Sequence, residues 1–255
     1  MDISIVIPCY NEADNVDSLA VGLRPVLTEL RHDRSVEVVL VDDGSIDGTG
    51  DLLAACFAGE GDIRVVRHDR NRGLGAALRT GFQAARGDIV VTTDSDATYP
   101  FALIVPLLER LTPEVDIVTG SCYHPDGGID NVPAYRVLLS KSASLLYRLL
   151  LDPSLHTYTC LFRAYRRDVI ATVPFTAPGF LSVTELIAHA LLRGYVVDEL
   201  PCTLRVRRHG ASKARIAAII RSHLRFQWAL IRTYGLPPRR AIPAASRLTL
   251  PHHSG

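Results

Sequence analysis

The residues best suited to chemistry are acids that directly follow short apolar runs. Asp94-Ser95-Asp96 follows Ile89–Thr93, Asp42-Asp43-Gly44-Ser45 follows Val36–Val41, and Pro8-Cys9-Tyr10-Asn11-Glu12 follows Ile3–Ile7. Asp94 and Asp96 are two positions apart and fall on one side of an extended chain. Two hard oxygen donors so placed suit Mg²⁺ or Mn²⁺, which keeps several waters and bridges to the phosphates of a substrate. The alternative is a pair of solvated acids at a strand end. Asp43 can accept from a base N–H or a ribose hydroxyl. Asp47-Gly48-Thr49 carries turn and cap chemistry, with Asp47 or Thr49 expected to cap the helix that follows.

A second set of candidates is basic. The chain holds 28 Lys+Arg against 27 Asp+Glu, a net charge of +1, but the balance is uneven. Residues 1–199 carry a net −10, and residues 200–255 carry +11 with no acid at all. Such an end implies an anionic partner: a phosphate, a nucleic acid or a lipid headgroup. Within it, Arg207-Arg208-His209-Gly210-Ala211-Ser212-Lys213 concentrates cations. Arg221, Arg225 and Arg232 fall within about 40° on a helical wheel of 100° per residue. The apolar residues around them make a helix able to lie in an anionic membrane interface, or to pack on the body of the protein with its arginines solvated.

The elements that must position these residues alternate. Strands are expected at Ile3–Ile7, Val36–Val41, Ile63–Val66, Ile89–Thr93 and Val115–Thr119, with helices at Glu12–Leu30, Thr49–Phe57, Leu74–Ala85 and Phe101–Leu111 between them. Pro25 is expected to kink or shorten the first helix, and Gly81 is a weak spot in the third. Continuous apolar strands separated by amphipathic helices imply an α/β fold whose parallel sheet is covered on both faces, with a ligand crevice beyond the strand C-termini. After residue 120 come an expected loop at 120–133, a helix at Ala134–Leu150, a strand at Thr159–Tyr165, a helix at Val183–Arg193, strand character at Tyr195–Val206 broken by Pro201, and a helix or helix pair at Ala211–Tyr234. A Pro-rich, loose tail ends the chain.

Composition excludes several classes. With 255 residues, 47% hydrophobic and 22% charged, the chain is of ordinary globular make-up. Five cysteines without a C-x-x-C pair argue against a disulfide framework or zinc cluster and for a reduced, cytoplasmic setting. The start lacks a basic segment before its apolar run, so no signal peptide is expected. No apolar run approaches the ~20 residues that cross a bilayer, so any membrane contact is expected to be peripheral. Asn71-Arg72-Gly73-Leu74-Gly75 lacks the G-x-G-x-x-G spacing and no G-K-[ST] occurs, which disfavours dinucleotide oxidoreductases and P-loop NTPases. The close glycines there suit tight helix-to-sheet packing or a phosphate loop.

As a set, VIPCYNE (6–12), VDDGSIDGT (41–49), NRGLGAALRTGF (71–82) and DSDATYP (94–100) resemble the family 2 inverting glycosyltransferases of the GT-A fold. VTGSCYHPDGG (118–128), YRVLLSKSAS (135–144), FRAYRRDVI (162–170), GFLSVTE (179–185) and RRHGASK (207–213) are similar to dolichol-phosphate mannose and glucose synthases and their bacterial polyprenyl-phosphate relatives. The resemblance runs collinearly from about residue 2 to 230. It implies a GT-A, Rossmann-like, mainly parallel sheet flanked by helices, with a C-terminal acceptor and interface-helix extension. The implied division is a nucleotide-sugar half at 1–120, an acceptor half of the same domain at 121–212, a basic amphipathic helix at 213–234 and a flexible tail at 235–255.

Residue roles follow from the resemblance by position. Pro8, Tyr10, Glu12, Val41 and Asp43 match nucleotide-binding positions. Asp94, Ser95 and Asp96 match the metal and diphosphate motif, with Asp94 and Asp96 as ligands of Mg²⁺ or Mn²⁺. Arg136 and Ser140 match positions that handle the acceptor phosphate, and Glu185 an acid near the metal and sugar. Asp96, Arg136 and Glu185 are thus the implied catalytic residues. Arg207 and Lys213 match a basic pair that closes over the nucleotide diphosphate. The implied reaction moves a hexose, mannose from GDP-mannose or else a UDP-sugar, onto a polyprenyl phosphate at the cytoplasmic face of a membrane, with no nucleic acid involved. A phosphate acceptor needs no general base, because its second pKa of ~6 leaves it mostly dianionic at neutral pH. Two alternatives stand beside this: transfer to a hydroxyl acceptor with Glu185 as base, and a non-catalytic nucleotide-sugar or membrane-binding module. The chain departs from the family at Cys122, where an arginine is usual, at Thr98 in place of Gln, and at Thr157-Tyr158-Thr159-Cys160-Leu161-Phe162 in place of D-P-x-S-G-F.

Overall fold

A computed structural model describes residues 1–206 and 216–235. The strands are β1 (Ile3–Cys9), β2 (Val36–Asp42), β3 (Ile63–Arg67), β4 (Ile89–Thr92), β5 (Ile117–Ser121), β6 (Gly128–Asp130), β7 (Arg163–Arg166), β8 (Val197–Pro201) and β9 (Thr203–Arg205). The helices are α1 (Val16–Leu30), α2 (Thr49–Cys56), α3 (Leu74–Ala84), α4 (Ile104–Glu109), α5 (Ala134–Leu150), α6 (Arg167–Thr172), α7 (Leu181–Leu192) and α8 (Ile216–Tyr234). One seven-stranded sheet runs β3-β2-β1-β4-β7-β5-β8, and β6 pairs with β9 in a second, two-stranded sheet. Every pairing is parallel except those of β7, which lies antiparallel between β4 and β5.

Alternation along the strands feeds two cores. Ile3, Ile5, Ile7 and Cys9 pack with Leu19, Leu23 and Leu27 of α1, Leu53 of α2 and Leu107 of α4. Val6, Val39 and Val41 face Ala77 and Leu78 of α3, with Val183 and Leu186 of α7 in the same cluster. Gly81 explains its own presence: a Cβ there would collide with the Val6 side chain, so the missing methyl lets α3 sit down on the sheet. A third cluster of Tyr147, Leu155, Tyr158, Ile187 and Leu230 joins α5, α7 and α8. Arg163 is fully buried in β7. Its guanidinium donates to Thr119 Oγ1 and to the carbonyls of Val183 and Tyr158, tying β5, α7 and the preceding loop together.

Several expectations need adjusting. Pro25 stands inside an unbroken α1. Pro25 and Val21, one turn back, are both exposed, so the carbonyl left without an N–H partner lies on the solvent side. The helix expected from Glu12 begins at Val16 after a 3₁₀ turn at Ala13–Asn15, and the one expected at Phe101–Leu111 is a 3₁₀ turn at Phe101–Leu103 followed by the short α4. The strand expected at Thr159–Tyr165 starts only at Arg163, opposite Thr92, where its partner β4 ends. The break expected at Pro201 falls at Cys202, between β8 and β9. The helix expected from Ala211 is described from Ile216. The Pro-rich tail from residue 236 lies outside the described residues.

Candidate active site at the C-terminal edge of the sheet

The three acid-bearing loops converge at the C-terminal ends of β1, β2 and β4, which are neighbours in the sheet. The first two are laced together. The Asn11 N–H donates to Ser45 Oγ (2.8 Å), Ile46 N–H to Asn11 Oδ1 (2.9 Å), Glu12 N–H to Thr49 Oγ1 (2.8 Å) and Ala13 N–H to Asp47 Oδ2 (3.2 Å). Asp47 also takes the N–H of Thr49, the first residue of α2, but the N-cap expected at Asp47 or Thr49 falls on Gly48, at φ 89° and with no side-chain cap bond. Burial opposes ionisation of Asp47, but the donors from Thr49 and Ala13 outweigh it and hold the carboxyl below its ordinary range.

Among the nucleotide candidates, Val41 is fully buried against α3. Pro8, Tyr10 and Glu12 are half-buried at the mouth, and Glu12 Oε2 accepts from Asn15 Nδ2 at 2.5 Å. Asp43 is buried and accepts from its own chain at both oxygens. Oδ1 meets His68 Nδ1 (2.7 Å) and the Arg72 N–H (2.9 Å), and Oδ2 takes the Gly73 N–H (2.8 Å). His68 in turn reaches Thr80 of α3 through Nε2 at 2.9 Å. Asp43 thereby fixes the 68–73 loop that leads into α3. Neither the geometry of a phosphate loop nor helix-to-sheet packing explains the glycines there. Gly73 has φ +90°, where a Cβ would strike the Pro178 carbonyl, and the Gly75 N–H donates to that carbonyl at 2.7 Å.

β4 ends at Thr92, so Asp94, Ser95 and Asp96 sit in a turn rather than on one side of a strand. Strand alternation therefore does not place the two acids. Asp94 is half-buried, while Ser95 and Asp96 are buried, Asp96 to 6% exposure. Asp96 Oδ1 accepts from the N–H and the hydroxyl of Thr98, and Ala97 between them holds φ 53°, a left-handed conformation that costs an alanine about 1 kcal/mol. Thr98, a family departure, is thus the residue that orients Asp96. Tyr99 is buried and stacks on Phe162 at 5.6 Å, with Cys122 and Cys160 nearby. Burial pushes all three neighbouring thiols, Cys122, Cys160 and Cys202, upward, so they behave as neutral packing groups. No group of three or more His, Cys, Asp or Glu side chains gathers around a metal position among the described residues. Two carboxylates in one turn fit Mg²⁺ or Mn²⁺, whose remaining positions are taken by waters and a phosphate-bearing ligand.

Arg136 and Ser140 stand on α5. Arg136 is half-buried, its Nε near Tyr135 Oη (3.3 Å), and Ser140 Oγ shares a 2.6 Å hydrogen bond with Thr159 Oγ1. Tyr123 bridges β5 to this helix through its hydroxyl, which donates to the Val137 carbonyl at 3.3 Å. Glu185 on α7 is buried and engaged at both oxygens. Oε2 accepts the N–H groups of Thr176 and Ala177 (2.9 and 2.8 Å) and Oε1 the Thr176 hydroxyl (3.2 Å). It pins the 174–179 loop that meets Gly73 and Gly75. Arg207 and Lys213 lie outside the described residues. The chain approaches them from β9, where the Arg205 N–H donates to the Thr98 carbonyl at 3.1 Å.

Sequence reading did not pair Asp43 with His68 or His156 with Glu199. In the second pair, His156 Nδ1 lies 2.6 Å from Glu199 Oε2. Their separations of 25 and 43 residues carry no local spacing signal; only the order of the strands brings them together.

Comparison with known proteins agrees with this architecture. The chain is 33% identical over 216 residues to a polyprenol monophosphomannose synthase from Mycolicibacterium smegmatis, covering 82% of this chain and 79% of that protein. It is 32% identical over 239 residues to a dolichol-phosphate mannosyltransferase from Pyrococcus furiosus, covering 92% of this chain but 65% of that protein. The chain therefore spans just under two thirds of the archaeal relative. Among solved structures, glucosyl-3-phosphoglycerate synthase from Mycobacterium tuberculosis with Mn²⁺, UDP and phosphoglyceric acid matches with a TM-score of 0.68 at 25% identity, covering 93% of this chain and 80% of that one. The same enzyme with Mg²⁺ and UDP gives 0.68 at 25% identity, covering 93% and 81%. The fold is GT-A, Rossmann-like. The family model for glycosyl transferase family 2 matches residues 4–173, which span β1 to α6 and all three acid-bearing loops, and the chain belongs to that family.

Proposed function

We propose that the protein transfers a hexose, mannose from GDP-mannose, to a polyprenyl phosphate, releasing the nucleoside diphosphate. The observation that carries the lipid acceptor is the make-up of α5. The helix that bears Arg136 and Ser140 near its start also leaves Leu138, Leu145 and Leu149 exposed, Leu138 to 67%. The neighbouring α8 adds Leu224, Trp228 and Ile231. A phosphate-handling residue pair on an apolar outer face suits a headgroup whose tail stays in a bilayer. No helix among the described residues is long and apolar enough to cross a membrane, so the contact we infer is peripheral, at a cytoplasmic membrane face. The names of the relatives support the same reading.

The chemistry asks for positioning and charge stabilisation. Asp94 and Asp96 would hold Mg²⁺ or Mn²⁺, which when bound offsets the negative charge of the departing diphosphate. Tyr10, Glu12 and Pro8 border the nucleotide, Val41 shapes its floor, and Asp43 fixes the 68–73 loop beside it. Arg207 and Lys213 supply cations to the same diphosphate. Arg136 and Ser140 hold the acceptor phosphate in line with the sugar, and its oxygen attacks without a base. A hydroxyl acceptor would need a base, and Glu185 is poorly placed for one, because both its oxygens already accept hydrogen bonds from the 176–177 backbone and hydroxyl.

The second reading is a UDP-sugar donor, favoured by the UDP complexes of the structural neighbour. The test is label transfer from GDP-mannose and UDP-glucose to a polyprenyl phosphate with Mn²⁺. Transfer from GDP-mannose supports the proposal, transfer from UDP-glucose alone selects the second reading, and transfer from neither to lipid phosphate rejects both.

A further inference from the structure

We propose that His156 and His124 form a phosphate-monoester contact at the acceptor end of the cleft, with Glu199 as the residue that positions His156. The identity of the ligand as a lipid phosphate rests on the function proposed above; the anion site rests on the geometry alone.

Glu199 is buried on β8 and accepts three N–H bonds from one short segment. Oε1 takes the backbone N–H groups of His156 (2.8 Å) and Thr157 (2.9 Å), and Oε2 takes His156 Nδ1 (2.6 Å). The ring hydrogen therefore sits on Nδ1, and Nε2 is the atom left to meet a ligand, on a side chain that keeps 23% of its surface exposed. His124 packs edge-to-face against this ring at 5.2 Å. Its Nδ1 accepts the Asp126 N–H at 3.1 Å, so its hydrogen belongs on Nε2, as a donor. Two imidazoles thus come together, each with its tautomer set by a different partner.

Their placement is at the acceptor end. Thr157, next to His156, bonds Ser121 Oγ (2.8 Å) and the Tyr123 N–H (3.3 Å), and Thr159 bonds Ser140 Oγ. The 156–159 segment therefore touches both the end of β5 and the α5 face that carries Arg136 and Ser140. No arginine stands at the first position after β5; Cys122 is there, its thiol buried and neutral. The groups facing His156 are Glu199 from β8 and His124 with Asp126 from the loop after β5. The thiols flanking Glu199, Cys122 and Cys202, are pushed up by burial, Cys202 to about 12. A phosphate oxygen reaching this pair would accept from His124 Nε2 and from a hydrogen on His156 Nε2. Both His156 nitrogens then donate, one to Glu199 and one to the ligand.

The test follows the His156 ring by NMR in the full chain, titrated separately with a short-chain isoprenyl monophosphate, inorganic phosphate and the matching isoprenol. Saturable movement of the Nε2 signal with the monophosphate but not the alcohol is the expected result. An equal response to inorganic phosphate keeps the anion site and assigns its ligand to the free ion rather than the lipid. His156→Gln should lower kcat/KM for the acceptor about tenfold, the size of one charge-assisted hydrogen bond, leave the KM for nucleotide-sugar unchanged, and be partly rescued by His156→Arg. A ring that moves with neither phosphate, or a Gln variant with unchanged acceptor kinetics, overturns the assignment. A ring that moves in a protein that transfers no sugar rejects the reaction and leaves the site standing.

Discussion

The backbone N–H of Arg205 donates to the carbonyl of Thr98 at 3.1 Å, and Thr98 in turn binds the Asp96 carboxylate through both its N–H and its hydroxyl. The strand that leads to the basic segment and the turn that carries the metal candidates are therefore one mechanical unit. Replacing Thr98 by Val removes the hydroxyl bond to a charged partner, a loss of about 1.5 kcal/mol. We expect the Mn²⁺ concentration for half-maximal transfer to rise about tenfold and Tm to fall by about 3–6 °C, whereas Asp96→Asn should lower transfer by at least ~10²-fold at any Mn²⁺ concentration. Metal titrations of both variants check this; equal metal dependence in wild type and Thr98→Val would sink it.

Glu185 is expected to act through the loop it holds. Glu185→Gln turns one acceptor oxygen into a donor facing N–H groups, a cost of about 2 kcal/mol and, for a domain of this size, a Tm lower by about 4–8 °C. The pH profile of the remaining activity should keep its shape. A profile that loses its acid limb while Tm holds would make Glu185 a base.

Acid should loosen α8. Burial of His223 beside Tyr147 pushes its pKa down to about 4, against ~6.5 in an unfolded chain. Between those values the unfolded state binds the proton and the native state does not. The stability is therefore full above pH 6.5 and falls as pH drops toward 4, by about 3 kcal/mol at most. Hydrogen exchange in residues 216–234 should accelerate from pH 7 to pH 4.5, and His223→Gln should flatten that response.

Trp228 is the chain's one tryptophan and is 61% exposed on α8, with Arg232 5.2 Å from its ring. Its emission should shift to the blue on adding anionic vesicles, and less on adding neutral ones, because Arg221, Arg225 and Arg232 favour negative headgroups. An unchanged spectrum at saturating lipid would count against a membrane role for this face.

Much of the nucleotide half was legible in the residues. The apolar runs that became β1, β2, β4 and β5 are continuous because both faces of each strand are covered, and their ends placed the acid loops. What escaped was set by contacts between distant segments. Thr92 ends β4 before the acids, so a turn with Ala97 at positive φ replaced the strand alternation expected of Asp94 and Asp96. Asp43 read as a ligand carboxylate by its place and Glu185 through the family resemblance; in the fold each also holds a loop, Asp43 through His68 and the N–H groups of Arg72 and Gly73 and Glu185 through Thr176 and Ala177, and that closeness depends on the whole fold. Pro25 read as a kink or an early end, but α1 runs on through it to Leu30, because the packing of Leu19, Leu23, Val26, Leu27 and Leu30 outweighs one lost bond on the exposed face.

The antiparallel β7 has a consequence for assembly. β5 finds no strand partner among the residues made before it; its neighbours are β7 and β8, which follow by more than forty residues. A chain stopped at residue 120 would leave β4 with a bare edge and β5 unpaired, an invitation to aggregate. Residues 1–120 are thus not a folding unit on their own. The sheet becomes continuous only when Arg163–Arg166 threads between β4 and β5, a long-range closure that should set the pace of folding.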